Sequence, residues 1–81
     1  MIKNIIVFGG SGLIGQEIIR CLQDFNLNVL NADLKKSTNK NVAFLKCDVT
    51  KKKEIIKTKN YFIKKFGNID GIINCFYPRS N

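Results

Sequence analysis

The stretch VFGGSGLIG, residues 7–15, restricts how this chain can fold more than any other part of it. Gly9, Gly10, Gly12 and Gly15 come directly after the apolar run Ile5-Ile6-Val7-Phe8. A short β-branched run that stops at glycines reads as a strand buried on both faces, the kind a parallel sheet contains. From Leu13 the period changes. Ile14, Ile18, Cys21, Leu22 and Phe25 make one apolar stripe at helical spacing, with Gln16, Glu17, Arg20 and Gln23 on the other side. A strand must therefore turn sharply into a helix. Gly9, Gly12 and Gly15 have the spacing G-x-x-G-x-x-G. Such a turn needs one residue free of Cβ constraints, a second where a diphosphate approaches the backbone, and a third where helix packs on strand. The helix N-terminus then offers N–H groups and a positive dipole end to phosphate. Ser11 adds a hydroxyl. The competing reading is a tight turn with no ligand.

The same alternation continues along the chain. Asn26 suits a left-handed stop, and NVLNA (28–32) reads as a second strand with Asp33 at its carboxyl end. A lysine-rich connection (35–41) leads to a third strand, VAFLKC (42–47). Thr50 is the expected cap of a helix over 51–66, with Ile55, Ile56, Phe62, Ile63 and Phe66 as its apolar face and Gly67 as its left-handed end. IDGIINC (69–75) reads as a fourth strand. This pattern predicts one α/β domain over 1–81: a partial doubly wound fold with a parallel sheet of about four strands, order 3-2-1-4, flanked by helices. Asp33 lies 18 residues beyond Gly15. That is close to the roughly 20-residue spacing of an acid that accepts hydrogen bonds from an adenosine ribose. Taken alone, Asp33 is equally a turn-forming aspartate. With strand, glycines, helix and acid in register, the sequence points to dinucleotide binding.

Here the chain resembles a known family, the short-chain dehydrogenases/reductases. The resemblance runs from Lys3 to Arg79 and rests on GGSGLIG (9–15), Asp33, CDVT (47–50) and IINC (72–75). It implies a Rossmann fold and a cofactor site drawn from Gly9, Ser11, Gly12, Leu13, Ile14, Gly15, Asp33, Asp48, Val49 and Asn74. Asp48 and Val49 would face the adenine. Read without the family, Asp48 is a helix-entry acid. The ending NCFYPRS is similar to a segment in a branch of bacterial members linked to flagellin and surface-sugar modification. The chain departs from the family pattern at Phe8, Cys75 and Phe76. Family catalysis uses a Tyr-x-x-x-Lys pair and a serine on later elements. Tyr61 and Lys65 have that spacing but fall in the helix before the fourth strand, so they read as helix surface, and no catalytic residue is assigned. The expected identity is thus an N-terminal fragment of an NAD-dependent oxidoreductase that has no turnover by itself. A fragment of an extended-branch sugar-nucleotide epimerase or dehydratase is the alternative, and a stand-alone nucleotide-binding module a third. The cofactor expected is NAD rather than NADP, because Asp33 would repel a 2′-phosphate.

Composition sets the remaining bounds. The net charge is +8, but the lysines are dispersed and no aromatic platform interleaves them, so a nucleic-acid partner is not expected. No apolar run approaches the roughly 20 residues of a membrane span, and the N-terminus does not read as a signal peptide. Three cysteines without a C-x-x-C pair, and no histidine, give a metal site almost no ligands. They read as reduced, buried thiols of a cytoplasmic protein. A fourth strand with an open edge is expected to drive self-association.

Overall fold

The computed structural model describes residues 3–39 and 41–76. Its elements are β1 (Asn4–Phe8), α1 (Leu13–Gln23), β2 (Asn28–Asp33), β3 (Ala43–Lys46), α2 (Lys52–Phe66) and β4 (Gly71–Asn74). The strands form one sheet in the order β3-β2-β1-β4, parallel throughout, as the alternation of strands and helices predicts. In register, Ile6 of β1 lies between Leu30 of β2 and Ile72 of β4. Strands 3 and 4 are shorter than their apolar runs. Single bonds extend the ladder past them: Asp70 N–H to the Asn4 carbonyl (2.8 Å), Cys75 N–H to the Phe8 carbonyl (2.8 Å) and Cys47 N–H to the Asp33 carbonyl (2.9 Å).

The period-2 alternation of β1 and β2 sorts their side chains into two cores. Ile6, Phe8, Leu30 and Ala32 pack with Cys47 and with Phe62 of α2. Val7 and Val29 pack with Val42 and with Ile19 of α1. One helix therefore covers each face. Phe8, a departure from the family pattern, is fully buried on the α2 side and not in the cleft at the strand ends.

α1 differs from its sequence reading in which side it buries, and α2 buries the expected side over a narrower face. In α1 the stripe Ile14-Ile18-Cys21-Leu22-Phe25 is not the buried face. Ile19 is buried and Leu22 packs beside it, while Ile14, Cys21 and Phe25 are exposed. The cause is Gly15. A Cβ there would lie 2.5 Å from the Gly9 carbonyl oxygen and 2.6 Å from Gly10 Cα, so α1 rests its bare backbone on the turn. That contact fixes the helix rotation, and the residues four and seven positions on follow it inward. Leu13, Ile14, Ile18, Cys21 and Leu22 consequently line an open apolar groove. In α2, Phe62 and Thr58 are buried, Ile55 and Phe66 pack against the core, and Ile56 and Ile63 are exposed. Thr58 is tolerated there because its hydroxyl donates to the Glu54 carbonyl (2.9 Å).

Thr50 does not cap α2. Its N–H and hydroxyl both donate to Asp48 Oδ1 (3.0 and 2.6 Å), so Lys51 occupies the cap position without a side-chain bond. An aspartate two residues upstream competes for Thr50 through a local turn. Gly67 ends α2 at φ +94°, its N–H on the Ile63 carbonyl, and Asn26 is left-handed at φ +55°. Tyr61 lies on the α2 surface with Lys65 Nζ 5.9 Å from its ring centroid, a surface cation–π contact. The three thiols are free, and Cys47 and Cys75 follow the two outermost strands, β3 and β4. Cys21 is exposed, against the expectation of burial, because α1 turns that side outward. Tyr77–Ser80 of the NCFYPRS ending lie outside the described residues.

Candidate dinucleotide site

Parallel strands end on one side of the sheet, and the candidate residues collect there. Gly9 follows β1, Asp33 ends β2, Asp48 and Val49 follow β3, and Asn74 ends β4 in register with Phe8. The ladder draws the ends together: the Gly9 N–H donates to the Ala32 carbonyl (2.8 Å).

Each glycine of the triplet meets a different demand. Gly9 has φ +79°, a conformation side chains resist, and a Cβ there would press on the backbone of Cys75 and Phe76 at 3.1 Å. Gly15 provides the contact between helix and turn described above. Gly12 differs from both. A Cβ at Gly12 would meet nothing nearer than the Gly9 carbonyl at 4.0 Å. No protein atom requires glycine there; the bare backbone faces open space. Gly12 is also the cap residue of α1 and makes no side-chain cap bond. The first N–H groups of any α-helix have no partner within it, and here they stand uncapped beside that space. Leu13 and Ile14, in this first turn, are exposed.

Asp33 is oriented by two backbone donors, Ser11 N–H on Oδ2 (3.0 Å) and Leu34 N–H on Oδ1 (2.6 Å). A carboxylate has about four lone-pair sites, so capacity remains for further donors. The Ser11 hydroxyl is directed away from the role expected of it. It donates to the Lys35 carbonyl and accepts from Asn31 Nδ2 (3.0 Å). Asp48 accepts both Thr50 bonds, and these, with Lys51 nearby, hold its carboxyl below the ordinary 3.8 against a smaller opposing effect of desolvation. Its N–H donates to Glu54 Oε1 (2.8 Å), which ties the loop after β3 to α2. Val49 packs against the core on the α2 side. Burial pushes the Cys75 thiol up.

Three residues to which the sequence reading gave no part in the site belong to this region. Gln16 donates through Nε2 to the Ser11 carbonyl (2.8 Å). Asn31 is fully buried under the turn. Gly10 leaves the space that Asn31 fills, since a Cβ there would lie 2.5 Å from Asn31 Oδ1. The one sequence signal was an asparagine between the apolar residues Leu30 and Ala32 of β2.

A parallel sheet in the order 3-2-1-4, with a glycine turn running into an uncapped helix and an acid closing the next strand, defines a Rossmann-type unit. The chain belongs to the NAD dependent epimerase/dehydratase family, whose pattern matches residues 5–81. It is similar to short-chain dehydrogenase reductase 3a of Arabidopsis thaliana, 31% identical over 84% of this chain and 30% of the relative. Among solved structures it is similar to a short-chain dehydrogenase of Leptospira borgpetersenii with bound NAD+ (TM-score 0.83, 23% identity, 99% of this chain and 33% of that one). It is also similar to ElxO with NADP bound (TM-score 0.83, 24% identity, 100% of this chain and 38% of that one). These comparisons bear out the resemblance to short-chain dehydrogenases/reductases and the fold. The chain spans about 30% of the length of the curated relative it matches.

Proposed function

We propose that this chain binds the adenosine diphosphate half of a nicotinamide dinucleotide at the carboxyl ends of β1, β2 and β3. One observation carries the reading: at Gly12 no protein atom needs glycine, and the uncapped N-terminus of α1 opens beside it. Backbone left bare next to unpaired N–H groups is what an approaching diphosphate requires. The residues present fit the group. Gly12 and the first N–H groups of α1 receive the phosphates, and the oriented carboxylate of Asp33 accepts from the ribose hydroxyls. Asp48, Val49 and Asn74 border the adenine and the far ribose. When bound, the cofactor supplies hydride chemistry. This chain's residues bind and orient it, and its Tyr-x-x-x-Lys match, Tyr61 and Lys65, lies on the exposed surface of α2. The parent activity we propose is hydride transfer between nicotinamide and an alcohol or carbonyl.

We also propose NAD over NADP, on the chemistry of Asp33; among the solved structures the chain resembles, one has NAD+ bound and another NADP. Asp33 places negative charge where a 2′-phosphate would sit. Titration of the chain with both dinucleotides tests this. NAD is expected to bind more tightly, and Asp33→Ala to narrow the difference. An unchanged ratio in that variant overturns the ribose role. Two further proposals follow from surface and composition. The outer edge of β4 has no partner among the described residues, and Ile72 beside it is exposed, so the chain is proposed to self-associate along that edge. Sedimentation independent of concentration would contradict this. Among the described residues no helix is long and apolar enough to cross a membrane. A cytoplasmic setting is proposed from three thiols that form no disulfide.

A further inference from the structure

We propose that Asn31 is a positioning residue for Asp33, acting through Ser11; the inference rests on the dinucleotide reading above. Asn31 sits in the middle of β2, opposite Val7 of β1, with no exposed surface. Its neighbours on the α1 side of the sheet are Val7, Val29 and Ile19, and an apolar side chain would suit that setting. Its amide is only half satisfied. Nδ2 donates to Ser11 Oγ (3.0 Å), while Oδ1 has no partner. An unpaired buried acceptor costs stability, and an apolar group of the same shape would remove that cost. Packing therefore does not account for asparagine at this position. What remains is the one bond the amide makes.

That bond ends on the residue that joins the whole turn. The Ser11 hydroxyl accepts from Asn31 and donates to the Lys35 carbonyl, which fastens the segment after β2 to the glycine turn. The Ser11 carbonyl accepts from Gln16 Nε2 (2.8 Å). Its N–H, held by these three contacts, donates to Asp33 Oδ2 (3.0 Å). The other carboxylate oxygen is bound by Leu34 N–H of its own chain segment (2.6 Å). Remove the Asn31 bond, and Ser11 loses the donor that fixes its hydroxyl from below. Asp33 then keeps its local bond but loses a rigid hold on Oδ2. Gly10 completes the arrangement. A Cβ there would meet Asn31 Oδ1 and Ile19 Cδ1, both at 2.5 Å, so the turn is shaped around this amide.

The residue in contact with ligand is Asp33, and the quantity it controls is the choice between a free ribose and a 2′-phosphate. Asn31 should therefore act on that ratio, which a residue serving only stability would leave alone. The test compares the 81-residue chain with Asn31→Leu, Ser11→Ala and the double variant, each titrated with NAD and with NADP. The NADP-to-NAD ratio of dissociation constants is expected to fall about three- to tenfold in Asn31→Leu, the range one hydrogen bond supports. Ser11→Ala is expected to give a similar fall, and the double variant no further one, because both substitutions break one path. Ser11→Ala leaves the buried amide in place, so it carries the test if Asn31→Leu does not fold. An unchanged ratio in either variant while NAD still binds overturns the inference and leaves the dinucleotide reading standing. Additive effects overturn the shared path. If the unaltered chain binds neither dinucleotide, the dinucleotide reading fails, and this inference with it.

Discussion

The two ends of the sheet each hold a buried asparagine, and the two are in opposite states. At the end where the strands begin, Asn4 spends its whole amide within the protein. Nδ2 donates to Asn68 Oδ1 (2.8 Å) and to the Asn68 carbonyl (3.2 Å), and Oδ1 accepts from Asn28 Nδ2 (2.8 Å). Its N–H binds Asp70 Oδ2 (2.8 Å), and Asn68 Nδ2 binds Asp70 Oδ1 (3.0 Å). This cluster joins β1, β2 and the connection from α2 to β4, and it leaves the buried amide of Asn4 fully paired. At the end where the strands finish, Asn31 keeps an unpaired oxygen, Gly12 faces open space and α1 begins without a side-chain cap. A polar network that closes on itself holds a fold together. The bare backbone at Gly12 and the uncapped start of α1 are where we propose that the dinucleotide binds, whereas the unpaired oxygen of Asn31 is fully buried.

That contrast can be broken by substitution, starting with the largest effect. Asn4→Leu strips the partners of Asn28 and Asn68 together, and is expected to cost about 3 kcal/mol of stability. Urea unfolding reads the loss, and in chains still folded NAD affinity should not change. For a domain this small such a loss is a large part of the total. Gly15→Ala drives a methyl into turn backbone that cannot yield, with an expected cost of about 1–3 kcal/mol. Gly12→Ala should do the reverse. Its stability should change by less than about 1 kcal/mol, while NAD affinity drops about tenfold or more. Equal thermal losses in the two glycine variants would show that Gly12 is structural and would remove the distinction between the two ends.

The smallest effect is acid sensitivity. Thr50 holds the Asp48 carboxyl below its ordinary 3.8. The unfolded chain then takes up this proton more readily than the folded one, so the contribution of Asp48 is present above 3.8 and is lost as pH falls from there through the lower value of the folded chain. Thr50→Ala should flatten the acid limb of stability slightly, measured by unfolding between about pH 2 and 5. A steeper limb would contradict the sign.

Much of this was legible in the sequence, for physical reasons that differ from element to element. Strand order follows from short β-branched runs alternating with helices, because right-handed crossovers leave few ways to place them. The structural demands at Gly9 and Gly15 follow from their spacing, since a strand-to-helix turn this tight needs bare backbone at both. The rotation of α1 was not legible. Its apolar stripe is real, but the backbone contact at Gly15 overrides it, and periodicity does not register a residue that has no side chain. The cap of α2 was lost to a competitor two residues upstream, as Thr50 turned to Asp48. Asn31 was hidden most completely, because its partner Ser11 lies 20 residues away and no local pattern links them.

The central claim is that the open end binds and the closed end does not. Amide chemical shifts of the isotopically labelled chain, followed during titration with NAD, test it most directly. Saturable shifts are expected at Ser11, Gly12, Leu13, Ile14 and Gly15 and at Asp33 and Val49, with Asn4, Asn28, Asn68 and Asp70 unmoved. Shifts centred on the Asn4 cluster, or none that saturate at the glycine turn, would contradict the account.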